Sequence, residues 1–300
     1  MITSHNLITV TGMKSVEIIY RYGAQTEPVR PRPADSDSAR QRLNDGNRAF
    51  AALLDSLAGD AANASRVIQV DPRDFGLAGG ASERPRQSPY AAVLGCSDAR
   101  VPIELIFNEG PNDLFVIRVA GNGLGSEVLG SLKYAVEHLG GSIKIIAVLG
   151  HSGCGAVSAA VDIFLDPSRY LELATSHSLR SILDRILVVV QASAKRMHEI
   201  FGPDVVHYPG YRTALIEASI VVNAALAAYT VDKELKSQEF GDIRTVYGVY
   251  VVENREVWAP HRGTAMWTGL ADPPFDPEGF AELGNAVLHS DRISSILKAK

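Results

Sequence analysis

The chain contains two cysteines, Cys96 and Cys154, and each stands just beyond an apolar run that ends in glycine, LGCSDAR at 94–100 and LGHSGCG at 149–155. With His151 they offer two thiolates and one imidazole, a ligand set suited to zinc. Three protein ligands leave a fourth position for water, as catalytic sites do, whereas a structural zinc usually takes a fourth side chain. A lone cysteine after a strand is ordinarily a small core residue, and a lone histidine is ordinarily hydrogen-bonded. The conjunction of the three at such matched positions points to one shared Zn2+ per chain. Asp98 follows a ligand closely enough to accept a hydrogen bond from water on the metal, and Arg100 can hold that carboxylate in a bidentate pair.

Other chemistries fail on spacing. A cysteine phosphatase loop needs its arginine where Pro102 stands, and Arg100 comes too early. The glycines of AGNGLGSEVLG do not satisfy G-x-G-x-x-G, because Ser126 falls where the last glycine is required, and no G-x-x-x-x-G-K occurs. The cysteines are too far apart in sequence for a C-x-x-C redox pair.

The elements that must position these residues read as a strand-then-helix rhythm. Tyr90 to Gly95, Asp113 to Ala120 and Ile143 to Gly150 are short apolar runs, and Ser126 to Leu139, 176–200 and 211–236 carry helical periodicity. Thr245 to Val252 supplies a further strand, and Glu256 to Ala259 an edge strand. That pattern predicts an α/β fold with a central, mainly parallel β-sheet flanked by helices, and it puts both cysteine motifs at the carboxyl edge of the sheet, where sites form in such folds. Three segments are expected: residues 1–38 as an extended or disordered arm, 39–262 as one α/β domain, and 263–300 as a C-terminal extension with a short helix. The arm has a β-branched stretch at Leu7 to Val10 and then prolines and polar residues; the first domain helix follows Ser38, with Asp37 or Ser38 as its cap.

Composition bounds the partners. A hydrophobic content of 46% is enough for a substantial core, and a formal net charge of −5 lacks the basic excess of a nucleic-acid surface. The most apolar window, Ala214 to Val231, is interrupted by Glu217 and Asn223, which would be costly at mid-membrane depth, so it reads as a buried helix with no membrane insertion. No secretory signal is read in the first twenty residues and the cysteines are few, so a cytoplasmic location is expected.

Cys96-Ser97-Asp98-Ala99-Arg100 together with His151-Ser152-Gly153-Cys154 resembles the paired C-x-D-x-R and H-x-x-C motifs of the β-class carbonic anhydrases, of plant type. The likeness extends to LNDGNRAF at 43–50, DLFVIRVAGN at 113–122 and SLKYAVEHLG at 131–140, and so to about 40–260; many members read Arg-Asn-Ala where this chain has Arg118-Val119-Ala120. The resemblance implies reversible hydration of carbon dioxide to bicarbonate and a proton, by attack of zinc-bound hydroxide. It also implies a homodimer or higher even homo-oligomer, with substrate pockets near the subunit interface. It gives Gln87 a substrate-orienting role, makes Phe115 and Tyr134 the apolar wall of the pocket, and lets Gly155 bring backbone close to the metal. Carbonyl sulfide or carbon disulfide hydrolysis on the same scaffold, or a non-catalytic zinc-binding scaffold protein, are the alternatives. Val93, three residues before Cys96, stands where a tryptophan accompanies a resting form with the motif aspartate on zinc; the resemblance therefore implies the open form, with Asp98 paired to Arg100.

Overall fold

The computed structural model describes residues 15–22, 30–58, 63–76, 84–85, 87–173, 177–236, 243–260 and 267–298. The expected stretch at 7–10 lies outside them. Five strands form the central sheet: β3 (Ala91–Gly95), β4 (Leu114–Arg118), β5 (Ile145–His151), β6 (Arg244–Tyr250) and the edge strand β7 (Val257–Trp258). Their order is β4-β3-β5-β6-β7, and every pairing is parallel except that of β6 with β7.

Both faces of the sheet are covered, which is why its strands read as continuous apolar runs rather than alternating ones. Period-two alternation still sorts the side chains. Ala91, Val93, Ile145, Ala147, Leu149 and Val246 face a core built with Leu43 and Phe50 of helix α1 (Ser36–Ala58) and with Ile103 and Ile106 of the short α2 (Ile103–Ile106). Ala92, Leu94, Ile146, Val148, Tyr247 and Val249 face a larger core. That second layer holds α3 (Ser126–Leu139), α4 (Gly155–Leu165), α6 (His177–Phe201) and α7 (Tyr211–Lys236), with the short α5 (Arg169–Leu173) between α4 and α6. Helix α7 is long and apolar enough to cross a membrane by length and composition, yet 67% of its apolar window is buried inside the protein. Its apolar residues are spent on the sheet, as its interrupting Glu217 and Asn223 suggest.

At the amino edge of the sheet a charged cluster fastens α1. Glu109 is fully buried and accepts hydrogen bonds from the Tyr90 hydroxyl at 2.8 Å and from Arg42 Nε at 2.9 Å, with Arg30 Nη2 at 3.0 Å. A carboxylate so placed needs those cations to offset its lost hydration.

Three boundaries differ from expectation. Helix α1 begins at Ser36, and its cap is Asp35, whose Oδ1 accepts the Ser38 N–H at 2.7 Å; an N-cap accepts from the third helical residue, and Asp37 and Ser38 already lie within the first turn. Within 1–38, β1 (Ser15–Arg21) pairs in parallel with β2 (Asn63–Gln69). Beyond 262 there are two helices rather than one, α8 (Pro277–Leu288) and α9 (Asp291–Lys298). They are no appendage: Leu283, Val287, Leu288, Ile293 and Leu297 belong to the larger core, and α7 is their platform.

Candidate metal centre

The chain order of the sheet creates the site. From β3 the chain moves to β4 through α2 on one face, whereas from β5 it moves to β6 through helices on the other, so the connections diverge between neighbouring β3 and β5. A crevice opens beyond the carboxyl ends of strands at such a switch point. Gly95 and Leu149 are paired in register, which brings Cys96 and the His151 motif side by side although they are distant in sequence.

Cys96, His151 and Cys154 are all buried, and their ligand atoms lie within 4.8 Å of one another. His151 Nδ1 is 3.0 Å from the Ser152 carbonyl, which can only accept, so that nitrogen carries the proton. Nε2 is left as a lone pair, buried without a hydrogen-bond partner among the described residues. An orphaned imidazole nitrogen beside two thiols fits a zinc ion, whose ligands must be neutral imidazole and thiolate.

The thiols are already polarised. The Cys96 thiol is held far below the usual thiol range, chiefly by the hydrogen bond it receives from Cys154 and against the opposing effect of burial, with further help from the adjacent His151 and from backbone N–H groups of Asp98 and Gly121. Cys154, as the donor in that bond, is pushed up. It is also the N-cap of α4, where the N–H groups of Ala156 and Val157 favour its anion.

Around the ligands the chain is tightly held. Asp98 Oδ1 accepts Arg100 Nε at 3.0 Å and the Arg100 N–H at 2.9 Å, and Oδ2 accepts Nη2 at 2.7 Å. The guanidinium keeps this carboxyl well below the usual carboxylate range, and its Oδ2 lies 3.8 Å from His151 Nε2. Arg118 donates Nε to the Cys96 carbonyl at 3.0 Å and Nη2 to the Asp98 carbonyl, fixing the turn that carries both. Gly121 sits at φ 63 and points its N–H at Cys96 Sγ, 3.4 Å away. Asn223 of α7 donates to the Gly121 carbonyl at 3.0 Å, and Glu217 accepts the Gly153 N–H at 2.9 Å.

Of the other expected pocket residues, Gly155 adjoins the cluster as the residue after Cys154. Gln87 is exposed and precedes β3, so it lies at the opposite edge of the sheet from Cys96, which follows β3. Phe115 is partly buried on the edge strand β4, opposite Ala92, and Tyr134 is 50% exposed on α3, stacked on His138. Gly155 is the first residue of α4, and an added Cβ would meet nothing within 4 Å, so no close approach of protein atoms demands glycine there.

Sequence reasoning did not assign roles to Arg118, Gly121, Glu217 or Asn223. The last two left a signal: each is a polar residue inside the most apolar window, and each reaches out of α7 to a backbone group beside a ligand.

Fold and site together define a mainly parallel α/β protein with a buried cysteine–histidine cluster that could hold a metal ion at a topological switch point. The family profile described as carbonic anhydrase matches residues 91–247. Carbonic anhydrase 2 of Mycobacterium tuberculosis is 37% identical over 169 residues, which are 54% of this chain and 73% of that protein. A carbonic anhydrase of Mycolicibacterium smegmatis is 36% identical over 149 residues, 50% of this chain and 62% of that one. Among solved structures, the β-carbonic anhydrase CcaA overlays 61% of this chain and 78% of its own, with 24% identity and a TM-score of 0.46. The chain belongs to the carbonic anhydrase family, in its β class.

Proposed function

We propose that the chain catalyses the reversible hydration of carbon dioxide to bicarbonate and a proton, with one zinc held by Cys96 Sγ, His151 Nε2 and Cys154 Sγ. The observation that carries this reading is the buried two-thiol cluster facing an unpartnered imidazole nitrogen, with an arginine-bound carboxylate next to it. Zinc held there would supply Lewis-acid chemistry able to make a water nucleophilic near neutral pH. Asp98, kept anionic and oriented by Arg100, would accept a hydrogen bond from the attacking water and so orient it towards the carbon of the substrate. A new C–O bond forms as one C=O π bond opens, and the proton leaves to buffer. Arg118 keeps the Cys96–Asp98 turn from drifting. Pairing of Asp98 with Arg100 and the small Val93 in β3 support the open resting form of the plant-type members.

The working unit in this proposal is a homodimer or higher even homo-oligomer. Gln87 is exposed and precedes β3, whereas Cys96 follows it, and Tyr134 is half exposed on α3, open to a second copy. Two cysteines, both buried and unbridged, suit a reducing compartment, and we place the protein in the cytoplasm.

Stopped-flow hydration of carbon dioxide and hydrolysis of carbonyl sulfide, followed on one zinc-loaded preparation, test the assignment. Rapid hydration with negligible sulfide release is expected. The reverse ratio would assign the site to carbonyl sulfide, and neither activity would leave a zinc-binding scaffold.

A further inference from the structure

The loop between the ligands His151 and Cys154 is held by two carboxylates. Glu217 Oε1 accepts the Gly153 N–H at 2.9 Å, and Glu253 Oε2 accepts the Ser152 hydroxyl at 2.8 Å; that hydroxyl in turn accepts the Val252 N–H at 2.9 Å. Gly153 sits at φ 62, a left-handed conformation that aims its N–H at α7. Both carboxylates converge on one cation. Arg292 of α9 donates Nε and Nη2 to Glu217 Oε2 at 3.0 and 2.7 Å, and its Nη2 is 3.5 Å from Glu253 Oε2.

Helix α9 lies beyond the residues that the family profile matches, 91–247, yet its arginine joins the two groups that hold consecutive residues of the ligand loop. The Glu217 side chain is only 9% exposed, so without Arg292 its charge would have little but one backbone amide to face. We infer that Arg292 is a positioning residue for the metal centre, and that the C-terminal helix sets how firmly the His151–Cys154 loop grips its metal. The bland alternative is that the ion pair only docks α9 on α7. The inference rests on the reading of Cys96, His151 and Cys154 as zinc ligands.

Metal release separates the two. Full-length zinc-loaded protein and the variants Glu217→Gln, Arg292→Gln, Arg292→Lys and the Gln double variant are mixed with a chromogenic chelator, and thermal midpoints are measured alongside. Zinc transfer is expected to quicken by roughly 10-fold or more in each single Gln variant, the scale of outer-shell losses. The double variant should be no faster than the faster single, because both act along one path, and Arg292→Lys should recover part of the loss while keeping α9 docked. Zinc transfer within twofold of the unmodified protein, with only the thermal midpoint lowered, would overturn the inference in favour of docking. Amide hydrogen exchange across 150–155 in metal-stripped protein provides a second reading independent of zinc: faster exchange at Gly153 in Arg292→Gln sustains the positioning role, and unchanged exchange overturns it. Unmodified protein that takes up no zinc would instead defeat the reading of the site, leaving the exchange result to decide on Arg292.

Discussion

Replacing Gly121 by alanine tests whether the left-handed turn after β4 supports the candidate metal centre. At φ 63 an L-residue carries a left-handed backbone, which costs about 1–2 kcal/mol. The new Cβ would also stand 2.9 Å from Ile186 Cδ1 and 3.1 Å from Ala156 Cβ. The first is the tip of a flexible side chain and can swing away, but the second is fixed to the backbone of α4, which also carries Cys154. Overpacking of this kind costs about 1–3 kcal/mol, and alanine's smaller unfolded-state entropy returns only about 0.5 kcal/mol. The net expectation is a destabilisation of about 1.5–4.5 kcal/mol, a large share of the roughly 5–15 kcal/mol that ordinary proteins possess. Any shift also moves the Gly121 N–H off Cys96 Sγ, now 3.4 Å away, and its carbonyl off Asn223, so zinc affinity should fall with stability. Urea unfolding with linear extrapolation, paired with chelator competition, measures both. A loss below about 0.5 kcal/mol together with unchanged zinc affinity would refute the turn geometry and its link to the thiolate.

Arg100→Ala releases Asp98, whose Oδ2 lies 3.8 Å from His151 Nε2, so the carboxylate should capture the open metal position. Carbon dioxide hydration should fall about 10–100-fold while zinc stays near one per chain; a wild-type rate would show that the pair does not hold the aspartate off the metal. Arg212 binds Asp162 of α4 through contacts of 2.6 and 2.9 Å, and those hydrogen bonds, outweighing partial burial, lower the Asp162 pKa. A depressed folded pKa gives stability that is present above the unfolded value of about 4 and is lost as pH falls through the folded one. Arg212→Ala should therefore cost about 0.5–1 kcal/mol at pH 7 and progressively less in acid, and equal losses in urea titrations at pH 7 and at pH 3 would contradict the assignment.

Much of the central sheet is legible in the sequence because its strands are buried on both faces, so AAVLG and IIAVLGH stand out as unbroken apolar runs against polar connections. Helices α3 and α7 are equally plain, with apolar periodicity over whole segments and terminal residues at 126–139 and 211–236. The candidate metal ligands follow from residue type and position, since the two cysteines stand in matched strand-end motifs. Strand β1 escapes because its burial is slight and does not alternate, so its sequence carries no core-facing signature. The role of α9 escapes for a different reason: eight residues are too few for a periodic signal, and what matters about them is one guanidinium reaching Glu217 of α7, whose other carboxylate oxygen holds Gly153. Glu217 and Asn223 illustrate a general route to such residues. Polar groups that interrupt an otherwise apolar helix are costly unless satisfied, and here Asn223 is satisfied by the Gly121 carbonyl, and Glu217 by the Gly153 N–H together with Arg292.

The most direct test of the central claim is to measure zinc content and carbon dioxide hydration together in the unmodified protein and in Cys96→Ala, His151→Ala and Cys154→Ala. Unmodified protein should carry about one zinc per chain and hydrate carbon dioxide, and each substitution should abolish both, because three ligands of this type leave none to spare. Any of the three variants that kept full zinc occupancy and a wild-type hydration rate would contradict the assignment of that residue, and with it the metal centre proposed here.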